Sequence, residues 1–427
     1  REFELELVSG IVQPEANTYM LKAGAKQGIF IPVSRVNTAY EYYKKLLDHD
    51  AVLSDKQGLP GSKEDFMLNK LDADDDWRVN IVWTDIKEAG GHNDIEKAGL
   101  SKLSEQGGSG PGSYIYVKPG QTPGNVLIEI KSGKIKGNPT LWSWHIWIVD
   151  KYPTVLDVAS QGGDGPKTVR LMSHLLGAYE RVQSQYSADA YREFGMQYQW
   201  GRKDPFPAHD VRVNKNFYDG SGKLFDFLWE QRGNDVDYGK TDAQQARGAA
   251  LTMKQSIEHP NAIVSHQSFW LYECFPHRFV SYFKDRWVFL YPWNQPSRTG
   301  NPEDVGGKTV FDPSPYGFRI MSQKEAVTLR SAYYYASRSG LNTPLPGSIY
   351  DGSFTDGKSG GNEVIFAVAQ ARSDTHAGRY LLNSTGGPAG WAPTSNTSAV
   401  YRRCMTYSVR PVIDPDVQED YKKYLPE

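Results

Sequence analysis

The run from Leu141 to Val149 constrains this chain most. It places Trp142, Trp144, Ile146 and Ile148 on one alternating face and Leu141, His145, Trp147 and Val149 on the other. Side chains of a strand point alternately to its two sides, so a strand apolar on both is buried on both or seals a domain edge. Asp150-Lys151-Tyr152-Pro153 ends the run, because proline has no N–H to give and restricts the residue before it. A boundary is expected there, between a first body at 1–150 and a second at 154–427. The 427 residues are enough for more than one core, a single core reaching its limit at roughly 250–300 residues.

Short strands with turn punctuation surround this run. Ile29–Val33, Trp77–Trp83, Ser113–Val117 and Asn125–Ile130 read as strands, the last two flanking Pro119-Gly120 and Pro123-Gly124. One helix interrupts them, with Ala39, Tyr42, Tyr43, Leu46 and Leu47 at helical spacing. Gly107–Gly112 reads as a mobile loop. Many aromatics (26 Tyr, 17 Phe, 11 Trp) with 41 glycines and 25 prolines favour strands over a helical bundle. The first body is therefore expected to be a β-sandwich. The second is mixed: strands at Trp287–Tyr291, Val364–Val368 and Tyr407–Val412, a helix from about Thr241 through Met253 that stops before Pro260, and another opened by the capping box Ser322-Gln323-Lys324-Glu325. Long connections at 294–309 and 341–362 suggest functional loops. The fold class expected is β-rich α+β.

Charge excludes some partners. With 48 basic and 50 acidic residues the net charge is -2, which gives no reason to expect nucleic acid or an anionic membrane surface. No stretch approaches the ~20 apolar residues of a transmembrane segment. Two cysteines, Cys274 and Cys404, are too few for a disulfide framework or a four-cysteine zinc site.

Several segments resemble a known family. Tyr198–Pro207 reads Tyr-Gln-Trp-Gly-Arg-Lys-Asp-Pro-Phe-Pro, and Lys308–Arg319 reads Lys-Thr-Val-Phe-Asp-Pro-Ser-Pro-Tyr-Gly-Phe-Arg. With Ala16–Met20, Ile31–Arg35, Leu141–Asp150 and Ser408–Val412, they resemble signatures of Bacteroidales surface proteins that include fimbrial accessory and tip subunits. The resemblance implies an N-terminal Ig-like β-sandwich followed by a C-type lectin-like domain with long loops, related in fold to formylglycine-generating enzymes. It implies cell adhesion at an exported, fimbrial or outer-membrane location. Partners would be other fimbrial subunits, joined by β-strand addition, and a host protein or glycan. The family often carries cysteine where this chain has Ser314 and Pro411, so that disulfide cannot form; Cys274 and Cys404 could form a different one or stay as free thiols. The cysteines do not reproduce the cysteine–copper site of the related enzymes, so no catalytic residue is carried over and no enzyme is expected.

Candidate ligand contacts are loop aromatics with polar neighbours: Trp293 beside Asn294, Tyr350 beside Asp351, and Trp391 near Asn396, with Trp270 and Tyr316. Aromatic faces stack on sugars and fill protein hot spots; packing in the core is the competing assignment for each. Trp200–Pro207 is either a ligand-facing loop or a rigid corner anchored by Trp200 and Phe206, and the corner is favoured. No cofactor is expected, with calcium open: Asp72–Asp76 and Asn234–Asp237 offer oxygen ligands without the EF-hand pattern. His145 is expected to be buried and hydrogen-bonded, and His174, His209, His259, His266 and His277 to sit on the surface or in turns. A surface lectin or carbohydrate-active enzyme is the alternative, and a purely structural capping subunit a third.

Overall fold

A computed structural model describes residues 9–49, 67–86, 103, 106–159, 168–180, 192–207, 215–225, 253–261, 294–296, 305–322, 325, 348–350, 353–355, 363–371, 377–383 and 406–427. They are strand-rich, with few helices and several sheets.

The two-faced apolar run forms strand β8 (Thr140–Val149), buried at all ten positions. It lies inside a five-stranded sheet in the order β2 (Thr18–Lys22), β8, β7 (Gly124–Lys131), β4 (Asp76–Thr84), β5 (Gly107–Ser109). β7 pairs antiparallel to β8 on one side and β2 parallel on the other. β1 (Gly10–Val12), β3 (Gly28–Pro32) and β6 (Tyr114–Val117) make a second, three-stranded sheet in that order. Helix α1 (Arg35–His49) turns Val36, Ala39 and Tyr43 inward, the spacing its sequence implied. Gly107–Ser109 is not a loop but an edge strand on β4. Its glycines admit the Trp77 ring, since a Cβ on Gly108 would sit 2.6 Å from that ring.

After Tyr152 the chain builds a four-stranded sheet in the order β15 (Phe318–Arg319), β21 (Val412–Ile413), β10 (Thr168–Met172), β9 (Val155–Ala159). A five-stranded sheet runs β12 (Phe206–Pro207), β11 (Met196–Gln199), β20 (Thr406–Ser408), β18 (Glu363–Ala371), β19 (Ala377–Asn383). The expected strand Tyr407–Val412 is divided between these sheets. Pro411 has no N–H to donate, and its carbonyl accepts from Met172 N at 2.8 Å, so the chain changes sheets there. Helix α2 spans Met253–Glu258 and stops before Pro260, as expected; Thr241 and the residues up to 252 lie outside the described residues, as does Trp287–Tyr291. The supposed loops contain hairpins: β13 (Asn294–Pro296) pairs with β14 (Val305–Lys308), and β16 (Ser348–Tyr350) with β17 (Ser353–Thr355).

One buried apolar cluster draws on residues from both sides of Tyr152. Phe311 packs against Trp142 of β8 at 6.2 Å and Tyr43 of α1 at 5.8 Å between ring centroids. A clasp closes the molecule. The Gln13 side chain donates to Tyr424 O at 2.7 Å, Tyr152 Oη to Pro426 O at 2.6 Å, and Lys26 N to Glu427 O at 3.1 Å. Tyr421 of the same segment stacks on Phe318 at 4.7 Å over Gly317. Gly317 has φ +83°, and a Cβ there would lie 2.4 Å from Tyr421 Cβ. Gly317→Ala is expected to lower stability by more than about 1 kcal/mol, because it combines a strained left-handed backbone with a clash; an unchanged urea midpoint would refute this seat for Tyr421.

Candidate functional site

The most unusual chemistry in the molecule is enclosed. His145, on β8, is fully buried, and desolvation pushes its imidazole down to about 3. Asn125 Nδ2 donates to Asp85 Oδ2 (3.1 Å) and Gly177 O (3.0 Å), leaving its Oδ1 to face His145 Nε2 at 2.8 Å. The network thus assigns the proton to Nε2. Thr18 Oγ1 donates to Pro313 O at 2.6 Å, so Nδ1 accepts from Tyr198 Oη, 3.3 Å away.

Two residues earlier along β8, Ser143 meets the Tyr198–Pro207 segment. Lys203 and Asp204 form an ion pair at 2.6 Å, each side chain 2% exposed. Ser143 Oγ donates to Asp204 Oδ1 at 2.6 Å, and Lys203 Nζ donates to Ser143 O at 2.9 Å and lies 4.5 Å above the Trp142 ring. Burial pushes the Lys203 ammonium down to about 8, against the opposing pull of Asp204. Asp204 Oδ2 has no hydrogen-bond partner among the described residues. Trp200 and Phe206 are fully buried, so this segment is the rigid corner and not a ligand platform. A serine beside a lysine of lowered basicity has the composition of a nucleophile and its base, but a pair this enclosed offers no approach to a substrate.

The Lys308–Arg319 segment is a second lock. Lys308 Nζ donates to the carbonyls of Ser314, Pro315 (2.9 Å) and Phe318 (2.9 Å), so a half-buried side chain has its ammonium held by a turn, and desolvation lowers it to about 8. Asp312 accepts from the N–H groups of Ser314 (2.8 Å) and Ile320 (2.9 Å), and burial raises its carboxyl above the ordinary value. Arg319 grips Glu325 through both terminal nitrogens (2.9 and 2.8 Å). The capping box forms as its spacing implied: Glu325 N donates to Ser322 Oγ (3.0 Å), and Ser322 N to Glu325 Oε2 (2.8 Å). Asn17 Nδ2 and Arg35, from two more signature segments, bind Val310 O at 2.7 and 2.9 Å. These segments therefore hold one another.

Of the candidate contacts, Trp293, Asp351, Trp391 and Asn396 lie outside the described residues, as do Cys274, Cys404 and Trp270. Tyr350 is placed by its backbone alone, paired with Ser353 in the β16–β17 hairpin. Tyr316 is half-buried, its ring edge-on to Tyr424 at 5.2 Å. The Asp72–Asp76 run is a turn whose carboxylates face lysines: Lys70 to Asp72 at 3.3 Å, and Lys134 to Asp74 at 3.0 Å and Asp75 at 3.6 Å. Among the described residues no three His, Cys, Asp or Glu side chains group as metal ligands would. Asn234–Asp237, His209, His266 and His277 lie outside them. His259 is exposed, but His174 is a correction: it is buried, with Nδ1 2.8 Å from Ser173 Oγ and its ring edge-on to Trp147.

One exposed aromatic group was not anticipated. On the outer face of the β1–β3–β6 sheet, Tyr114 is 48% and Val12 53% exposed, with half-buried Phe30 and Tyr116 between them. Phe30 lies 6.4 Å from Tyr114 and 5.0 Å from Tyr116 between centroids. The rings lie over Gly10 and Gly28, where a Cβ would come within 2.7 Å of them. The signal was the alternation in Tyr114–Val117, whose inward residues Ile115 and Val117 leave both tyrosines outside.

No family model matches the chain, and neither a curated protein nor a solved structure does.

Proposed function

We propose that the protein is a non-enzymatic cell-surface adhesin, an accessory or tip subunit of a fimbria. The observation that carries this reading is the aromatic face beside β1, which among the described residues is an edge strand and pairs with β3 over only three residues. Edge strands present unpaired backbone groups, and a strand added from a neighbouring subunit gains affinity from main-chain hydrogen bonds while side-chain contacts give selectivity. The signature segments quoted above support the same reading. In it the earlier segment, an Ig-like β-sandwich, faces neighbouring subunits, and the later one, a C-type lectin-like head, faces a host protein or glycan through loops that carry Trp293, Tyr350, Asp351, Trp391 and Asn396. The division concerns surfaces, not folding units. Export to the cell surface and independence from any cofactor belong to the same proposal, with calcium a question for the head loops.

Val12→Asp and Tyr114→Ala test it. Both side chains are half exposed, so thermal unfolding should hardly move, while incorporation into fibres, measured by immunoblot of sheared surface fractions, should fall at least tenfold, roughly the loss of one anchor contact. Normal incorporation of both variants would remove the aromatic face from assembly and with it the ground of the reading.

A further inference from the structure

We infer that the segments before and after Tyr152 form one cooperative unit interlocked along β8, and not two modules that fold on their own. Four β8 residues take a partner from beyond Tyr152: Trp142 the Phe311 ring, Ser143 the Lys203–Asp204 pair, His145 the Tyr198 hydroxyl, and Trp147 Nε1 the Ala178 carbonyl at 2.9 Å. β2 adds Asn17 Nδ2 on Val310 O and Asp312 O, both at 2.7 Å, and Thr18 on Pro313 O. At the far edge of the same sheet, Thr84 and Tyr218 exchange both main-chain hydrogen bonds, at 2.9 and 2.8 Å.

Separable domains meet through surfaces that tolerate water when parted, and their interfaces are more polar at the rim than dry at the centre. This joint has the reverse character. Its polar groups are buried, and Asn17, Thr18, Ser143, His145 and Trp147 each hydrogen-bond a group of the other segment, while the tryptophans around them would face solvent if the segments parted. Neither segment can hold its half of the network alone. The inference does not rest on the adhesin reading. Its functional consequence is linkage: a ligand bound to either segment stabilises both, since unfolding of one requires unfolding of the other.

Native-state hydrogen exchange on the full chain tests this, comparing amides of the β2–β8 ladder with those of the β11–β20 ladder. Protection of the two sets is expected to agree within about tenfold, the signature of one opening unit. Thr18→Val, a mild change that removes the hydroxyl bonded to Pro313 O, should lower both sets by the same factor. Asn17→Ala should do so more strongly. A gap wider than about tenfold in the parent protein, or a Thr18→Val effect confined to the β2–β8 set, would overturn the interlock.

Discussion

Lys203→Met is expected to destabilise the protein by about 3–5 kcal/mol, because it leaves the buried Asp204 carboxylate without its counter-charge. Lys203 and Asp204 are each 2% exposed, and the ammonium also serves the Ser143 carbonyl and hydroxyl. The informative comparison is the double variant Lys203→Met/Asp204→Leu, which removes both charges and keeps the volume. Its destabilisation should be several-fold smaller than that of either single change, since the penalty lies in the unpaired buried charge more than in the attraction lost. Urea unfolding of the three variants decides it. If the double variant is as unstable as the sum of the singles, the joint depends on the attraction itself and this account of it fails.

Acid should also weaken the protein through His145. The folded imidazole is held down at about 3 by burial, against an ordinary 6.5. Between those values the unfolded chain binds a proton that the folded chain does not. Stability therefore rises with pH through this window and is lost as pH falls below roughly 6.5, at up to about 1.4 kcal/mol per pH unit, reaching about 4–5 kcal/mol near pH 3. Carboxylates titrate over the same range, so the measurement is the difference between the parent protein and His145→Gln. Gln cannot take up the proton, and the stability gap between the two should close steadily from pH 6.5 to 4. Parallel curves would show that the ring titrates normally. Nitrogen NMR gives a second check: the ring should stay in its Nε2–H form down to pH 4.5.

The sequence made local features legible and hid the distant ones. β8 was visible because both faces of Leu141–Val149 are apolar, and α1 because Ala39 and Tyr43 recur at helical spacing. The capping box was visible because its two partners are three residues apart. The joint was not, since Asn17 meets Val310 across 293 positions and Ser143 meets Asp204 across 61. No periodicity encodes such a meeting. Gly107–Ser109 reads as a loop for a physical reason: glycines that signal mobility in isolation here let the Trp77 ring lie over Gly108 and the Trp77 carbonyl approach Gly107. The signature segments suggested a family, yet their charged residues are consumed in holding the fold, as Lys308 is by three carbonyls. Binding specificity therefore has to be sought on the faces those segments leave outside. Tyr114 and Phe30 lie in such a place, on a strand's outer side.

The bond from the Gln13 side chain to Tyr424 O joins positions 411 apart. β1, which ends one residue before Gln13, is thus secured by a stretch that leaves the ribosome hundreds of residues later. During synthesis the early strands have to wait, half sealed, for that stretch to arrive. Closure over so long a span is slow, and the intervening delay is when an exposed strand margin invites the wrong pairing. A chain built this way has reason to depend on a holding factor before it is finished, and little need of one afterwards.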